Sequence, residues 1–312
     1  MRPTIPLGKS AVFAISLSGF SILAAAQLTN DKTQDLEKNS SNWFGISTSR
    51  LKTIKEINLA NKLQSGLNSI RTAPQSIQRV YILASENYLT MSDGQRTVAG
   101  IIALNSVIFF AWQVPNPVLR SFMKRHFLHA HDTPLHTMLT SVFSISQYLS
   151  HRSIAHLGFN MLALYSFGPL SFKFLEKQET ELEGTSVYKW LALYLSAGLL
   201  SNLASTAATK YTQRTLMPSL GASGAVYSTL VMSAYSNPDI KVNLIFFPWF
   251  GFPISTGVLA MVGFDIVGLL RGWKLLDHAA HLGGAGFGVF GSLYFNDMFR
   301  RTRGVLGYNA PA

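Results

Sequence analysis

The sequence predicts an all-α polytopic membrane protein in which one N-terminal transmembrane helix stands apart from a core of six. Of the 312 residues, 48% are hydrophobic and only 13% are charged, whereas a soluble domain has about 25% charged residues. The apolar residues form blocks, several of which approach the roughly 20 residues that a helix needs to cross a bilayer. The formal net charge of +11 suits flanks that lie against anionic lipid headgroups.

The composition also excludes several kinds of site. The chain has no cysteine, which rules out disulfides, cysteine-ligated zinc and a cysteine nucleophile. The basic residues form no dense stripe, so the lipid bilayer is favoured over nucleic acid as the partner of the positive charge, and no nucleic acid is expected to bind.

The first apolar block covers residues 11–28. It follows Arg2 and Lys9, and no acidic residue precedes Asp31. This pattern is typical of a membrane anchor and also of a secretory signal peptide, because a run of three alanines near its end resembles a cleavage site. We assign residues 1–29 to an extra N-terminal transmembrane helix.

The rest of the chain divides into three parts. Residues 30–96 are polar and rich in Ser, Asn and Lys, and they predict a soluble connector with a helical part around 51–70. Residues 97–295 hold the six-helix core, and residues 296–312 form a basic C-terminal tail. The predicted core spans are 97–114, 154–172, 189–208, 220–235, 254–270 and 275–295.

Between the first two core spans lie a basic segment, 115–135, and a semi-apolar segment, 136–150. The second is interspersed with Ser, Thr and Gln. We expect it to lie in or along the membrane rather than to cross it.

The span at 220–235 is unusually short. A helix from Ser223 to Tyr235 covers about 20 Å, against a hydrocarbon core of about 30 Å. Ser223 is therefore predicted to lie about 10 Å below one membrane surface, where water would have to reach it through a polar cavity.

Polar side chains inside spans are costly and are therefore candidates for function. His156 and Asn160 are four residues apart on the second core span and share one helix face, with His151 a few residues before them. Ser223 begins the fourth core span, and His281 lies on the sixth. Small residues that allow close helix contact share the faces of this serine and this histidine: Gly221, Gly224, Gly284 and Gly288.

Close contact would bring the Ser223 hydroxyl to the His281 ring, which suggests nucleophilic catalysis. An imidazole can take the proton of an attacking serine and later return it to the leaving amine. The Ser223 N–H, at a helix N-terminus, and the His156 and Asn160 side chains are candidate oxyanion donors. Each signal alone also fits a small-residue helix contact, a structural histidine or a proton relay. Three such signals on three spans favour catalysis.

Three further residues lie near this predicted pair. Tyr227 shares the face of Ser223 and either stacks on His281 or belongs to the core. Asp277 is four residues before His281, which suggests a third catalytic group, although a polar residue at the membrane surface is the favoured interpretation. Asp265 lies in the middle of a span and is unexplained by the pattern.

The set of motifs resembles the rhomboid intramembrane serine proteases over about residues 97–295. The sequence contains "HLGFN", "GASG" and "HLGGAGFG" in the order and at separations typical of that family. The strings "DGQRTVAGIIA", "YLSAGLLSN", "PSLGASGA" and "GWKLLDHAAHLGGA" are similar to the mitochondrial presenilin-associated rhomboid-like subfamily. One departure is that residues 115–150 lack the Trp-Arg pair of some members.

The resemblance implies a rhomboid six-helix core with one extra N-terminal helix, in the mitochondrial inner membrane. It also implies a Ser223–His281 dyad without a third carboxylate and without cofactor or metal. His156 and Asn160 would line the oxyanion hole, and His151 would brace a loop. The implied activity is that of a rhomboid serine endopeptidase. Its substrates would be single-span membrane proteins of the inner membrane or intermembrane space, and membrane-complex scaffold proteins would be further partners.

Two other functions remain open from the sequence. The first is a catalytically silent rhomboid-like protein that binds membrane clients, although such a protein should lack a dyad residue. The second is a small transporter or channel that uses the His/Asn cluster as a proton path. The second predicts solute flux that is indifferent to Ser223→Ala.

Overall fold

The computed structural model describes residues 7–39, 48–130, 133–144, 153–178, 183–212, 222–244, 247–273 and 276–308. These residues are mainly helical. The elements in order are α1 (Leu7–Asn39), α2 (Thr48–Ser69), α3 (Gln75–Thr90), α4 (Asp93–Gln113), α5 (Pro117–Phe127), α6 (Thr137–Thr140), a 3-10 turn (Ser141–Phe143), α7 (Ser153–Lys177), α8 (Val187–Thr212), α9 (Ala222–Ser236), β1 (Lys241–Leu244), β2 (Phe247–Pro253), α10 (Ile254–Arg271), α11 (His278–Phe290), a π turn (Gly291–Phe295) and α12 (Asn296–Val305).

Four helices are long and apolar enough to cross a membrane. They are α1, α4, α8 and α10. The other three predicted spans form α7, α9 and α11, which pack among these helices. Helices α9 and α11 are not among the four because they are too short, with 15 and 13 residues. Helix α7 is less apolar because it carries His156 and Asn160 among its apolar residues. The predicted all-α polytopic membrane fold is confirmed.

The central helix of the bundle is α9. Its residues from Ala222 to Ala234 are buried, apart from Ser223. It packs against α7, α8, α10 and α11. A helix enclosed by protein on all sides can carry serines and threonines along its length, because neighbouring helices rather than lipid surround them. One example is Ser233, whose Oγ donates to the Phe167 carbonyl of α7 at 2.8 Å.

The N-terminal helix α1 packs along α8 and reaches α12 near the end of the chain. It extends ten residues beyond the predicted boundary at residue 29, and Asn30 and Thr33 are buried. Asn30 Oδ1 accepts from Arg303 Nε at 2.8 Å, and its Nδ2 donates to the Arg303 carbonyl at 3.1 Å. The region predicted as a basic tail, 296–312, thus contains a packed helix.

The connector contains two helices. The expected helical part around 51–70 is α2, and α3 follows it after a short turn. Their contact includes the Tyr81 hydroxyl, which donates to the Leu63 carbonyl at 2.9 Å. No residue of α3 is buried.

A two-stranded hairpin precedes α10. Strand β1 pairs antiparallel with β2, from Lys241 opposite Pro253 to Asn243 opposite Gly251. Pro253 ends β2 and stands at the N-cap of α10, which agrees with the predicted start of this span at residue 254. The hairpin itself was not predicted.

Helix α6 and the 3-10 turn that follows it pack against α8. Asn202 Nδ2 donates to the Met138 carbonyl at 2.8 Å and to Ser141 Oγ at 2.9 Å. His129 is buried between Thr137 and Thr206, with ring-nitrogen distances of 2.9 and 3.3 Å to their hydroxyls. Burial lowers the pKa of His129 to about 4, so this side chain is neutral at physiological pH.

Candidate active site

The structure brings together the two side chains that the sequence predicts as nucleophile and general base. Ser223 lies in the first turn of α9, and its Oγ is 3.2 Å from Nε2 of His281 on α11. This is hydrogen-bond distance for a serine and its general base. Both residues are partly accessible rather than buried.

Contact between the backbones of α9 and α11 makes this distance possible. A Cβ atom added to Gly284 would lie 2.2 Å from the carbonyl oxygen of Gly224, and one added to Gly288 would lie 2.8 Å from that of Ser228. A Cβ on Gly224 would lie 2.4 Å from Ser201 Cβ on α8. The predicted small-residue faces therefore meet, and any larger side chain there would force the helices apart.

We expect Gly284→Ala to reduce catalysis strongly. The added methyl overlaps a backbone oxygen, and overpacking of this kind costs about 1–3 kcal/mol of folding stability. The resulting shift of α11 would move His281 from Ser223, and a displacement of about 1 Å can cost on the order of 100-fold in rate. Cleavage rate and thermal unfolding of the purified protein measure both effects.

Gly286→Ala is the matched control, because a Cβ at Gly286 has open space around it on the same helix. This variant should keep wild-type activity and gain slightly in stability, since alanine is the better helix former by about 1 kcal/mol. Equal activity losses in both variants would contradict the proposed contact.

The aromatic ring of Tyr227 stacks on His281. The ring centroids are 5.3 Å apart, and the ring planes differ by 24°. Tyr227 lies one helical turn after Ser223, so α9 supplies both the hydroxyl and a surface for the imidazole. Two other predicted site residues, His151 and Gly221, lie outside the described residues.

The predicted oxyanion residues lie on α7 close to the start of α9. Leu157 and Met161, which directly follow His156 and Asn160, pack in one cluster with Ala222, the neighbour of Ser223. The Asn160 side chain donates one N–H to the His156 carbonyl at 2.9 Å. A second N–H remains for a ligand, and the oxyanion role of both residues stays a prediction.

A carboxylate lies behind the histidine, and sequence reasoning did not assign it there. Asp265 of α10 is 2% exposed, and its Oδ1 is 3.2 Å from Nδ1 of His281. The same oxygen is 2.6 Å from Nδ1 of His278. Its position in the middle of an apolar span was the available signal, because a buried carboxylate requires a nearby donor or cation.

Asp277 has a different role in the structure. It is the N-cap of α11, where Oδ1 accepts from the Ala280 N–H at 3.1 Å, and Oδ2 accepts from Ser205 Oγ at 2.6 Å. The favoured interpretation of Asp277 as a residue outside the catalytic group agrees with this geometry. Asp265, not Asp277, lies at the Nδ1 side of His281, and the Ser223–His281 dyad itself stays a prediction.

The arrangement fixes the orientation of the imidazole. An Nδ1–H that faces the Asp265 carboxylate leaves the Nε2 lone pair directed at the Ser223 hydroxyl. This is the tautomer that a general base needs.

Among the described residues, no group of three or more His, Asp or Glu side chains could hold a metal ion.

Comparison with known proteins identifies the family to which this chain belongs. The family model described as "Rhomboid domain" matches residues 137–297. The chain belongs to the rhomboid family. The matched region begins at α6 and ends in α12, and it contains Ser223, Asp265 and His281.

Curated relatives of this rhomboid carry mitochondrial names. The chain is 36% identical over 240 residues to the presenilin-associated rhomboid-like protein, mitochondrial, of Mus musculus, covering 77% of this chain and 59% of that protein. The human protein of the same name is 37% identical over 216 residues, with 69% and 52% covered. Rhomboid protein 1, mitochondrial, of Saccharomyces cerevisiae is 32% identical over 213 residues, with 66% and 55% covered.

The rhomboid thus spans between half and three fifths of the length of these relatives. No solved structure matches it significantly. The relatives and the apolar helices identify the chain as a multi-pass mitochondrial membrane protein.

Proposed function

We propose that this rhomboid is an intramembrane serine protease of the mitochondrial inner membrane, with Ser223 as nucleophile and His281 as general base. The observation that carries the proposal is the 3.2 Å distance between Ser223 Oγ and His281 Nε2 across two helices in backbone contact. Membership of the rhomboid family independently supports a protease-type activity.

The reaction needs only groups of this chain and water. Ser223 Oγ attacks the peptide carbonyl while Nε2 of His281 takes its proton. The C–N bond then breaks, and His281 returns that proton to the departing amine. A water molecule, deprotonated by the same nitrogen, then attacks the acyl carbonyl, and as the ester C–O bond breaks His281 returns this proton to Ser223 Oγ. Through both steps the Asp265 carboxylate holds the Nδ1–H and stabilises the imidazolium that forms.

The tetrahedral intermediate needs donors for its oxyanion. The backbone N–H of Ser223 lies in the first turn of α9, where N–H groups have no partner within the helix. The positive end of the helix dipole favours negative charge at the same place. Side chains of His156 and Asn160 are the proposed additional donors, and the loss of one such donor typically costs about 3 kcal/mol of barrier.

The length of α9 suits hydrolysis below the membrane surface. Its 15 residues cover about 22 Å, so a helix that reaches one surface leaves its first turn about 8 Å below the other. The partial accessibility of Ser223 and His281 allows water to reach the reacting atoms. We therefore propose, as substrates, single-span proteins of the inner membrane or intermembrane space that are cut in or beside the span.

Incubation of the purified protein with candidate single-span proteins tests this function. Mass spectrometry of the products should locate new termini in or next to the substrate span, and Ser223→Ala should form none. A protein that only binds membrane clients would instead retain the intact candidate in both forms. Binding without cleavage by the wild-type protein would contradict the proposal.

A further inference from the structure

The connector carries an exposed apolar face that no other described helix covers. Along α3, Ile77, Val80, Ala84 and Tyr88 follow one another at spacings of three and four residues, which places them on one face. Ile77 is 52% exposed and Val80 is 68% exposed. The side that meets α2 adjoins this face: Tyr81, which bonds to Leu63, lies one turn after Ile77 at its edge, while Val80 and Ala84 lie on the exposed side. We call Ile77, Val80, Ala84 and Tyr88 the α3 stripe.

The α3 stripe ends next to the start of α4, a candidate membrane-spanning helix. Between α3 and α4, Met91 and Ser92 have extended backbone angles, which break the helix at this point. Arg96, in the first turn of α4, donates to the carbonyls of Tyr88 and Leu89, both at 3.0 Å, and its guanidinium lies 5.2 Å from the Tyr88 ring centroid. Because α4 is a candidate span, these contacts hold the end of α3 at the membrane surface.

The second helix of the connector is tied to the same place. Lys55 of α2 lies 3.8 Å from the carboxylate of Asp93, the first residue of α4. The two helices therefore form a hairpin, residues 48–90, that is attached at the level where the chain enters the bilayer. Because the hairpin is tethered at that surface, its side chains have a high effective concentration next to the lipid headgroups.

The charge of the hairpin identifies the surface that it fits. Residues 48–90 contain six basic side chains against two acidic ones. The basic residues are Arg50, Lys52, Lys55, Lys62, Arg71 and Arg79, and the acidic ones are Glu56 and Glu86. An apolar helix face combined with a net positive charge is typical of helices that lie in the interface of anionic membranes.

We infer that the α2–α3 hairpin docks on anionic phospholipid headgroups, with the α3 stripe inserted at the boundary of the acyl chains. The apolar stripe supplies the contact with lipid, and the basic residues select anionic headgroups. This inference concerns the connector alone and does not depend on the proposed protease activity.

The absence of cysteine allows a direct test with single introduced labels in the full chain. Ala84→Cys places an environment-sensitive fluorophore on the α3 stripe. Glu86→Cys places it two residues further, about 200° around the helix, and is the matched control. Both proteins are reconstituted in nanodiscs of phosphatidylcholine, with or without phosphatidylglycerol, and with spin-labelled lipid as quencher.

In anionic nanodiscs we expect the label at position 84 to emit at shorter wavelength and to be quenched by spin-labelled lipid. The label at position 86 should remain in water. Removal of phosphatidylglycerol, or high salt, should weaken quenching at position 84. Adding Ile77→Ser and Val80→Ser to the Ala84→Cys protein should also reduce it.

Three outcomes would overturn the inference. The first is equal quenching at positions 84 and 86, and the second is no quenching at position 84 in anionic nanodiscs. The third is a shielded label at position 84 that lipid does not quench, which would show that protein rather than lipid covers the stripe.

Discussion

Ser223→Ala and His281→Ala should each reduce cleavage of a membrane-anchored substrate by on the order of 10⁴-fold or more. Without Ser223 the chain has no nucleophile at the position that His281 can activate. Without His281, the serine hydroxyl must lose its proton to water, and serine is a weak nucleophile at neutral pH. Single-turnover rates for the purified variants in the same lipid measure both losses.

The double variant gives the sharper test of the pair. When two residues act as one unit, replacing either one already removes the contribution of both. The double variant Ser223→Ala/His281→Ala should therefore cleave about as slowly as either single variant. Two independent contributions would instead multiply. A His281→Ala protein that retains most of its activity, or a double variant far below both single ones, would contradict the assignment of nucleophile and base.

Asp265→Asn is expected to have the second largest effect, a loss of up to about 10⁴-fold in kcat/KM. The asparagine keeps nearly the same size, but its amide can donate to Nδ1 and so favour the tautomer whose Nε2 carries the proton. That tautomer cannot accept the proton of Ser223. The negative charge that stabilises the imidazolium is also lost. Steady-state kinetics with a fluorogenic peptide of one cleavable bond measure this change.

Asp277→Asn is the matched control, since Asp277 is the other aspartate near His281 in sequence. Its carboxylate caps α11 and accepts from Ser205. Asparagine is also a good N-cap, so both stability and kcat/KM should change little. A larger loss of activity in Asp277→Asn than in Asp265→Asn would reverse the roles that the geometry gives to these two residues.

The contact between Ser223 and His281 could be predicted from the sequence because each residue shares a helix face with small residues. His281, Gly284 and Gly288 share one face by helical spacing, and Gly224 continues the small face beside Ser223. Two faces of small residues in a membrane protein predict close contact, and the chemistry of the side chains then indicates which contact matters. The short length of α9 was predictable for the same reason, since the apolar block itself is short.

The place of Asp265 could not be predicted from spacing. Its distance from His281 depends on how α10 is rotated against α11 and on their relative height, and neither is encoded in the pattern of one helix. Helix α10 itself ends at Gly272, whose positive φ of 70° forms a left-handed cap. Asp277 was closer in sequence but lies at the N-cap, before the first turn of α11.

Two elements of the fold were missed because local pattern and tertiary context disagree. The aromatic and proline-containing residues 247–253, directly before the predicted span at 254–270, gave no strand signal, yet they pair with β1 in a hairpin. Helix α12 is polar on most of its surface, and its packing depends on Arg303 bonding to Asn30 of α1, which is 273 residues away in the sequence. Such a long-range partner is not visible in a single sequence.

The reaction of Ser223 with a fluorophosphonate tests the central claim most directly, because the probe reports an activated serine without the need for a substrate. We predict that mass spectrometry of the labelled wild-type protein will locate the adduct on Ser223. We also predict that the adduct will be absent in Ser223→Ala and will form at least about 100-fold more slowly in His281→Ala. An adduct on another serine, or a labelling rate at Ser223 that does not change when His281 is replaced, would contradict the account.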